Sequence, residues 1–490
     1  MSVALGIDTG GTYTDAALIE YETSQVLATA KALTTKYDLS IGIRQAINRV
    51  MAIQPAEIGL VSLSPTLATN AIVEGHGAPI CTLLIGYNGR MDKNLNLAQE
   101  LGTDQYVFIS GGHLANGDEY EPLDINTARK VILEHQSQCA AFAISGYFGT
   151  RNPSHEIEVR RLVTELTGLP ATCGHELTHR LNALRRAMTV TLNASLIPLL
   201  RDLIDAVERT IGAKGISAPL MVVKGDGSLM ESTMARERPI ETILSGPAAS
   251  VIGAQLLADC DDSVVVDMGG TTTDLAVLTG GHAKINPKGA RVGRWRTMVE
   301  AIDAQTVGIG GDSRVWVDEE REIRIGTRRV VPICLLAAQY PQIVGALEKC
   351  ASRPAKPGVR LGEFLVLQRD CQHDGNNPTF EQELMDALRE GPVAIDRADR
   401  MMHYPQLHAQ YMNQLQRQGI LIYSALTPTD AAHVLGEYTE WDERAARLGI
   451  NILAKRLSCD PKTLCHRVLT RTSQRIAKEI VTKLLDDESH

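Results

Sequence analysis

The chain has 490 residues and a formal net charge of −9, with 44% hydrophobic and 22% charged residues. This length predicts two to four domains, and the apolar fraction suffices for buried cores, which excludes a wholly disordered chain. Proteins that hold nucleic acid carry a basic excess, so the acidic balance argues against a nucleic-acid partner. A small anionic ligand held by backbone amides is compatible with this charge.

The sequence shows no sign of membrane insertion or export. It contains no run of about 18 apolar residues, as a transmembrane helix requires. The first residues lack a basic region and reach Asp8 at once, unlike a signal peptide. The nine cysteines are dispersed and form no C-x-x-C pair, which is typical of reduced thiols. We therefore expect a cytoplasmic protein without a membrane partner.

A twelve-residue segment near the N-terminus recurs later in the chain. Residues 8–19, DTGGTYTDAALI, and residues 267–278, DMGGTTTDLAVL, agree at seven of twelve positions. This spacing excludes a solenoid, whose period is roughly 20–50 residues, and indicates two related lobes. Apolar runs around the copies predict strands at Val3–Ile7, Ala16–Ile19, Val264–Val266 and Leu275–Leu278, with third strands at Gln25–Ala30 and His282–Ile285.

The Gly-Gly-Thr turn within each copy has a chemical use. Paired glycines permit a positive φ and close approach of another group, and successive amides in such a turn form an anion-binding concavity. The aspartates that precede the turns, Asp8 and Asp267, suit Mg²⁺, which neutralises phosphate charge. Two facing copies would clamp the phosphates of a nucleotide and their metal ion. The alternative is that each turn is an ordinary β-hairpin connection.

Other segments predict further elements in chain order. Apolar spacing and turn signals favour a helix over Ile41–Met51, strands at Val107–Ser110 and Ala140–Ile144, a helix with Ser154 as its N-cap, a long helix over Leu181–Val207 despite Pro198, a strand at Met221–Val223 and a turn into a helix at Ser245. Residues 331–440 mix helical segments with loops, and residues 440–487 are helical in composition. Asp430 follows Thr429 in a turn that contains proline, and we interpret it as the N-cap of a helix near Ala431.

Metal-ligand motifs outside the repeat are weak. Residues 175–179, HELTH, match the letters of the zinc-protease helix H-E-x-x-H. Pro170 just before them and Thr178 within them argue against a settled helix. Cys371, His373 and Cys465 do not show zinc-ligand spacing. We interpret these residues as ordinary surface or core side chains.

Several glycine- and threonine-rich blocks follow one another in a distinctive order. They are the two repeat copies, Ala68–Glu74, Lys224–Met230, Leu244–Ala249, Thr306–Ser313 and Thr427–Ala431. In this order they resemble the hydantoinase A/5-oxoprolinase family of the actin–sugar kinase–Hsp70 superfamily. The match covers residues 3–320 well and residues 425–485 more loosely. It implies that a strand ends at Glu176 and Leu177.

The resemblance implies an α/β fold with two ribonuclease-H-like (actin/Hsp70-type) lobes and a mostly helical C-terminal part. The N-terminal lobe would span residues 1–180 and carry the first phosphate loop. The second lobe would span residues 181–330 and carry the second loop. Residues 331–490 would form a mixed insertion and a helical segment.

The resemblance also implies a site built around both loops. Asp8 and Asp267 would bind Mg²⁺, and with Asp303 they are the expected catalytic residues. The residues expected to bind ATP are Gly10, Gly11, Thr12, Thr14, Gly269, Gly270, Thr271, Thr273, Gly308, Gly310 and Gly311. The expected substrate contacts, for which loop capping is the alternative, are Thr69, Asn70 and Asp226. Asp15 and Asp274 either join the metal site or turn inward to fix the loops.

Members of this family use ATP to phosphorylate the oxygen of a cyclic amide or a carbonyl group, often with a second subunit. The resemblance therefore implies an ATP-dependent hydrolase or carboxylase subunit that acts on cyclic amide C–N bonds. It implies a small cyclic amide or carbonyl substrate, a hydantoinase B-like partner subunit and an oligomeric assembly.

Three departures from the family pattern favour an alternative. Leu63–Thr66 stands where many members have His-Gly-Thr-Thr, and Ala304 and Gln305 stand where members tend to carry a histidine. The sequence also lacks the Gly-Gly-Ala-Gly type segment that helps to hold adenosine in this superfamily. Either the chain is truncated, or a partner completes the site, or tight nucleotide binding has been lost. The alternative function is a nucleotide-responsive activator or reactivating factor of the same fold, acting on a partner enzyme.

Overall fold

Strands and helices alternate along the chain, so the fold is mixed α/β. The structure, a computed structural model, describes residues 3–11, 13–35, 38–53, 57–91, 95–258, 261–318, 320–354, 360–368, 380–401, 412, 414–416 and 420–488. The first unit comprises Met1–Ser263 and Ala276–Ala304, and the second comprises Val264–Leu275 and Gln305–His490. The predicted division into lobes at residues 180 and 330 stays a prediction.

The elements are numbered in chain order. The strands are β1 (Val3–Thr9), β2 (Tyr13–Glu20), β3 (Val26–Leu33), β4 (Ile58–Pro65), β5 (Ile80–Ile85), β6 (Tyr106–Ile109), β7 (Ala141–Gly146), β8 (Ala171–Cys173), β9 (Leu220–Val223), β10 (Leu229–Glu231), β11 (Ser263–Met268), β12 (Thr273–Thr279), β13 (His282–Ala283), β14 (Arg291–Val292), β15 (Trp295–Arg296), β16 (Gln305–Val307), β17 (Ser313–Val317), β18 (Ile323–Arg329), β19 (Val331–Pro332), β20 (Phe364–Leu367), β21 (Val393–Ala394) and β22 (Leu421–Ala425).

The helices are α1 (Leu39–Ile53), α2 (Leu67–Glu74), α3 (Leu97–Leu101), α4 (Ile125–His135), α5 (Ser154–Thr167), α6 (Gly174–Leu177), α7 (Ala183–Gly212), α8 (Ser232–Glu237), α9 (Ser245–Leu257), α10 (Ile333–Gln339), α11 (Ile343–Ser352), α12 (Phe380–Glu390), α13 (Ile395–Met401), α14 (Pro428–Leu435), α15 (Glu443–Leu457) and α16 (Pro461–Glu488). A 3₁₀ turn spans Pro239–Thr242.

The first repeat copy lies in a six-stranded sheet of the first unit, ordered β10-β9-β4-β1-β2-β3. Short turns make β1, β2 and β3 antiparallel, whereas longer connections let β4 pair in parallel with β1 and β9. Along β1, Val3, Leu5 and Ile7 are buried at every second position and face the core. The sheet therefore positions the first glycine turn at the end of β1.

A second sheet of the first unit is fully parallel and has the order β6-β5-β7-β8. All six residues of β5 and all six of β7 are buried. Continuous burial is expected where helices cover both faces of a parallel sheet. The carboxyl ends of these strands, among them Gly146 on β7 and Cys173 on β8, lie along one edge.

Helix α7 links the two cores of the first unit. Asn182 caps it by accepting from the Arg185 amide over 3.0 Å, and Pro198 lies within the helix. Its first half packs into one hydrophobic cluster and its second half into another. By length and by a mean hydropathy of 1.2 it resembles a membrane-spanning helix, but 72% of that apolar window is buried inside the protein. We interpret it as a core helix.

In the second unit, β16 pairs with the start of β12, with Thr273 opposite Val307. Strands β17 and β18 form a hairpin, and a four-stranded sheet has the order β19-β22-β20-β21. Helices α10, α11, α14, α15 and α16 pack around a core that includes Leu347 and Phe364. The predicted helical character of residues 440–487 is confirmed by α15 and α16.

Several sequence predictions were wrong in detail. Ser154 is the first residue of α5 rather than its N-cap, because the cap position is Pro153. The strand expected near residue 176 ends at Cys173, and Gly174–Leu177 forms one helical turn. The third strand of the second copy covers only His282–Ala283.

Helix α7 offers a test of the two-core arrangement. Leu200→Ala removes a side chain that is 1% exposed, and we expect a loss of about 2–5 kcal/mol of unfolding free energy from lost burial and the cavity left behind. Leu256→Ala on α9, where the leucine is 59% exposed, is the matched control and should change stability by less than about 0.5 kcal/mol. Thermal and urea unfolding of both variants check this, and equal losses would contradict it.

Candidate functional site

The first loop joins β1 to β2 as a tight hairpin. The Gly10 amide donates to the Tyr13 carbonyl over 2.8 Å, and Asp8 lies opposite Asp15 in the antiparallel register. A Cβ atom at Gly10 would lie 2.9 Å from the Tyr13 carbonyl oxygen, so a side chain there would force the turn to shift. Thr12 lies outside the described residues. The predicted strand–turn–strand unit is confirmed.

Threonine side chains anchor the first loop. The Thr34 hydroxyl donates to the Gly10 carbonyl over 2.9 Å and lies 3.1 Å from the Thr14 hydroxyl. Thr66 donates both its amide and its hydroxyl to the Thr9 carbonyl. Because Thr14 is only 1% exposed, its hydroxyl braces the loop from within the protein. Its contact with phosphate stays a prediction.

The carboxylates of the first loop have different surroundings. Asp15 forms an ion pair with Lys31 on β3, at 3.4 Å between Oδ1 and Nζ. Both side chains are about half exposed, so this pair contributes little to stability. Asp8 is partly buried at the end of β1, and Gly11 beyond it is partly buried too. Lys31 therefore balances part of the charge of Asp15, and the choice between metal binding and loop fixing for Asp15 stays a prediction.

Two predicted substrate residues lie at the start of α2, close to the first loop. The Thr69 hydroxyl accepts from the Leu244 amide over 3.0 Å, and the Ser245 hydroxyl donates to the Pro65 carbonyl over 3.0 Å. These contacts join the beginnings of α2 and α9. Asn70, one position further along α2, is exposed. Thr69 thus has a structural partner, whereas the Asn70 side chain faces solvent.

The loop around Asp226 is tied to the segment that carries Asp303. A Cβ atom at Gly225 would lie 2.2 Å from the Ile243 carbonyl oxygen, and the Gly225 carbonyl accepts from the Ile302 amide over 2.8 Å. Only a glycine permits this approach of one backbone to another. Asp303 itself accepts from the Asn286 side-chain amide over 2.6 Å. The first unit therefore brings these predicted residues into one neighbourhood.

The Asp226 carboxylate is engaged within its own loop. Ser228 donates its amide and its hydroxyl to Oδ1 over 2.9 and 2.6 Å, and Lys224 lies 3.1 Å from Oδ2. Burial raises the pKa of Asp226, but the bonds from Ser228 and Lys224 outweigh it and bring the pKa below its usual range. This geometry is the loop-capping alternative, and substrate contact by Asp226 stays a prediction.

The second loop repeats the hairpin of the first. The Gly269 amide donates to the Thr272 carbonyl over 2.9 Å, the counterpart of the bond made by Gly10. Its carbonyls are held by the glycine segment: the Gly311 amide donates to Gly269 over 3.0 Å and the Asp312 amide to Gly270 over 2.7 Å. A trans peptide points its carbonyl and the following N–H in opposite directions. The amides after these carbonyls therefore point away from the glycine segment.

Gly310 makes this contact possible. A Cβ atom there would lie 2.5 Å from the Gly270 carbonyl oxygen and 2.6 Å from that of Gly269. Gly308 follows β16 and is partly buried. The predicted glycine residues thus support the second loop through their backbone. Their direct contact with a nucleotide stays a prediction.

The side chains of the second loop separate into anchoring and exposed groups. Thr273 is fully buried and donates to the Ile309 carbonyl over 2.7 Å, whereas Asp267 is exposed. The Thr306 hydroxyl donates to Asp274 over 2.5 Å. Burial raises the pKa of Asp274 to about 6, a rise that the Thr306 bond opposes and the charge of Asp267 increases. The negative charge of these carboxylates also favours a bound cation. Because their donor atoms are oxygens alone, they fit Mg²⁺.

Sequence reasoning missed the support that α14 gives to the glycine segment. The Thr429 hydroxyl and amide both donate to the Gly311 carbonyl, over 2.8 and 3.0 Å. Asp430 accepts from the Thr427 and Cys334 amides over 2.9 and 2.8 Å. Thr427 is the N-cap and Asp430 its capping-box partner, so the interpretation of Asp430 as the N-cap was wrong. The T-x-x-D spacing was the signal that could have found it.

The H-E-x-x-H letters do not form a metalloprotease site. Helix α6 ends at Leu177, and Thr178 has extended backbone. His179 is therefore outside the helix, and it is exposed. Glu176 accepts from the Cys173 amide over 3.1 Å and forms an ion pair with Arg160. The residues at 371 and 373 lie outside the described part of the chain, and Cys465 is buried in α16.

Comparison with known proteins identifies the family. The model of the hydantoinase/oxoprolinase family matches residues 186–334, and that of the hydantoinase/oxoprolinase N-terminal region matches residues 4–167. The chain therefore belongs to the hydantoinase/oxoprolinase family. The family predicted from the ordered sequence blocks is confirmed.

Two of the curated relatives are named as enzyme subunits. The chain is 29% identical to the caprolactamase subunit alpha of Pseudomonas jessenii over 425 residues, which cover 80% of this chain and 60% of that relative. It is 25% identical to the acetophenone carboxylase gamma subunit of Aromatoleum aromaticum, over 79% of this chain and 56% of that relative. The chain thus spans less than two thirds of the length of either relative.

Two solved structures share the fold. Acetone carboxylase in its nucleotide-free form aligns with a TM-score of 0.67 at 17% identity, over 98% of this chain and 63% of that chain. The ATP-dependent caprolactamase from Pseudomonas jessenii aligns with a TM-score of 0.55 at 27% identity, over 73% of this chain and 56% of that chain. The first likeness concerns the fold alone.

Gly310→Ala tests the contact behind the second loop. The added methyl group would meet the Gly269 and Gly270 carbonyls, so we expect about 1–3 kcal/mol of destabilisation and faster hydrogen exchange in residues 267–274. Gly345→Ala is the matched control, because nothing lies within 4 Å of its Cβ position on α11. That control should be neutral or slightly stabilising. Unchanged hydrogen exchange in Gly310→Ala would contradict a role of this contact in holding the second loop.

Asp312 predicts a pH dependence of stability. Burial raises its pKa to about 6, although Arg329 opposes the rise. The native state therefore binds this proton more tightly than the unfolded state, and the contribution of Asp312 to stability increases as pH falls from about 6 to about 4. We therefore expect the unfolding free energy of Asp312→Asn, measured relative to wild type, to be higher at pH 7 than at pH 5.

The control for this measurement is Asp318→Asn. The Glu322 amide and the Arg324 side chain hold the pKa of Asp318 below its usual range, so its contribution is lost, not gained, as pH falls. Urea unfolding at pH 5 and pH 7 compares both variants with wild type. The same pH trend in both variants would contradict the assignment of Asp312.

Proposed function

We propose that this chain is the nucleotide-binding subunit of an ATP-dependent enzyme that activates the oxygen of a cyclic amide or a carbonyl compound by phosphorylation. The observation that carries the proposal is the second loop. Its carbonyls bond to Gly311 and Asp312, and within the described residues neither the Gly270 nor the Thr271 amide has a backbone acceptor. Successive amides directed away from their own chain are the groups that bind phosphate oxygens.

The first loop supports the same proposal. It has the same glycine turn, and its carbonyls at Thr9 and Gly10 bond to Thr66 and Thr34. We propose that the chain contains two ribonuclease-H-like lobes of the actin type, each carrying one of the loops. Asp8 and Asp267 would hold Mg²⁺, since each is the last residue but one of the strand that leads into its loop.

The names of the relatives support the reaction class. They include an ATP-dependent caprolactamase, a 5-oxoprolinase and carboxylases of acetophenone and acetone. An amide oxygen is a poor leaving group, whereas a phosphorylated oxygen leaves as phosphate. Transfer of the phosphoryl group depends mainly on positioning and charge neutralisation, which amides and carboxylate-held metal supply. We propose that a partner subunit supplies the rest of the reaction, since the caprolactamase, acetophenone carboxylase and acetone carboxylase relatives are named as subunits.

One observation favours the second candidate, a nucleotide-responsive activator. Gln305 stands where family members tend to carry a histidine, and its side-chain amide donates to Glu479 on α16 over 3.2 Å. A glutamine in this position cannot serve as an acid or base. A protein without that group would use ATP binding to change shape and act on a partner enzyme.

Substitution of the two aspartates tests the nucleotide site. We expect Asp8→Asn and Asp267→Asn each to weaken Mg²⁺-ATP binding at least about tenfold, a loss of about 1.4 kcal/mol, because a ligand of the metal is removed. Asp202→Asn on the exposed face of α7 is the control and should bind as wild type does. Isothermal titration with Mg²⁺-ATP and Mg²⁺-ADP measures all three variants. Wild-type affinity in both loop variants would refute the assigned metal residues.

ADP release separates the two candidate functions. The chain, together with its second subunit, is assayed with caprolactam, 5-oxoproline, acetone and no substrate. Release that depends on one of these compounds supports the activating enzyme. Release that depends on a partner protein and on no small substrate supports the activator.

A further inference from the structure

The edge of the parallel sheet in the first unit brings three metal-capable side chains together, apart from both glycine loops. They are Glu156 on the first turn of α5, Cys173 at the end of β8 and His175 on α6. One ligand atom from each lies within 4.8 Å of the other two. Glu156 and Cys173 are fully buried, and the His175 side chain is 19% exposed. The sequence places them in three different elements, so no spacing rule would have grouped them.

We propose that Glu156, Cys173 and His175 bind one divalent transition-metal ion of the Zn²⁺ class. Thiolate sulfur, imidazole nitrogen and carboxylate oxygen are the ligands that Zn²⁺ takes in proteins. Ca²⁺ and Mg²⁺ prefer oxygen ligands alone, so a sulfur and a nitrogen donor select against them. The site is independent of the nucleotide proposal.

The three ligands are already oriented by their surroundings. The Gly146 amide donates to Glu156 Oε1 over 2.6 Å, and the His175 amide donates to Oε2 over 2.9 Å. The Glu176 carboxylate accepts from the Cys173 amide over 3.1 Å. Such outer hydrogen bonds fix the direction of metal ligands and tune their affinity. A metal ion would therefore meet a largely ordered site.

The charges around Cys173 also favour a cation. Burial, together with the negative charges of Glu156 and Glu176, raises the pKa of the Cys173 thiol, and Arg160 partly offsets these charges. In the metal-free protein the His175 Nδ1–H group donates to Glu156 Oε2 over 2.5 Å. A metal ion would take the place of this proton between His175 Nδ1 and Glu156 Oε2.

The proton balance follows from these contacts. In the metal-bound state Nδ1 of His175 would be the ligand atom and Nε2 would carry the ring proton. Cys173 must lose its thiol proton, since the thiolate is the ligand. Binding of one ion thus releases this thiol proton to the buffer. Three protein ligands leave the fourth tetrahedral position for water, which reaches it past the partly exposed imidazole.

Cobalt spectroscopy tests the site directly. The full chain, freed of metal with a chelator, is titrated with Co²⁺ and then with Zn²⁺. We expect one equivalent of Co²⁺ to give the visible absorption of a tetrahedral centre and a near-ultraviolet thiolate-to-Co²⁺ band, both abolished by Zn²⁺. Titration in two buffers of different ionisation enthalpy should give one proton released per ion. Absence of the thiolate band in the wild-type protein overturns the proposal.

Matched variants assign the ligands. Cys173→Ser should lose the thiolate band, whereas Cys139→Ser, a buried cysteine of the same hydrophobic cluster, should keep it. Retention of the band in Cys173→Ser overturns the proposal. Because buried substitutions risk unfolding, His175→Gln is the second variant, and circular dichroism checks each fold. His175→Gln should keep its fold and bind Co²⁺ at least about tenfold more weakly, and unchanged affinity also overturns the proposal.

Discussion

The candidate site of the second unit depends on one backbone contact. The carbonyls of Gly269 and Gly270 accept hydrogen bonds from Gly311 and Asp312, and this approach leaves no room for a Cβ atom at Gly310. Because peptide geometry couples a carbonyl to the N–H that follows it, this contact also decides where the loop amides point. Thr429 then holds the Gly311 carbonyl from α14. The direction of the amides is thus set by residues distant in the chain.

The first loop reaches the same result with different side chains. Threonine hydroxyls at Thr34 and Thr66, rather than a glycine segment, hold its carbonyls. Thr66 begins the region that also joins α2 to α9 through Thr69 and Leu244. The two copies therefore share a turn but not its support. The repeated sequence therefore determines the turn, whereas the surrounding residues of each unit determine how its carbonyls are held.

Local signals predicted the elements well. Short-range alternation and glycine turns identified the strands around both copies, and helical spacing identified α1 and α7. Errors arose where an end or a cap depends on neighbours. Ser154 has cap chemistry but lies inside α5, and Asp430 is the capping-box partner of Thr427 rather than the N-cap itself. Two histidines four residues apart matched a helical motif that stops at Leu177.

The sequence by itself determined the repeat, the α/β class and the family, because these depend on order along the chain and on contacts between near neighbours. Only the tertiary structure decided which side chains meet. Glu156 is joined to Cys173 and His175 from separate elements, and burial rather than residue type raises the pKa of Asp312. The physical reason is that hydrogen bonding, burial and electrostatic interaction depend on which residues are neighbours in space, and such neighbours can be far apart in sequence.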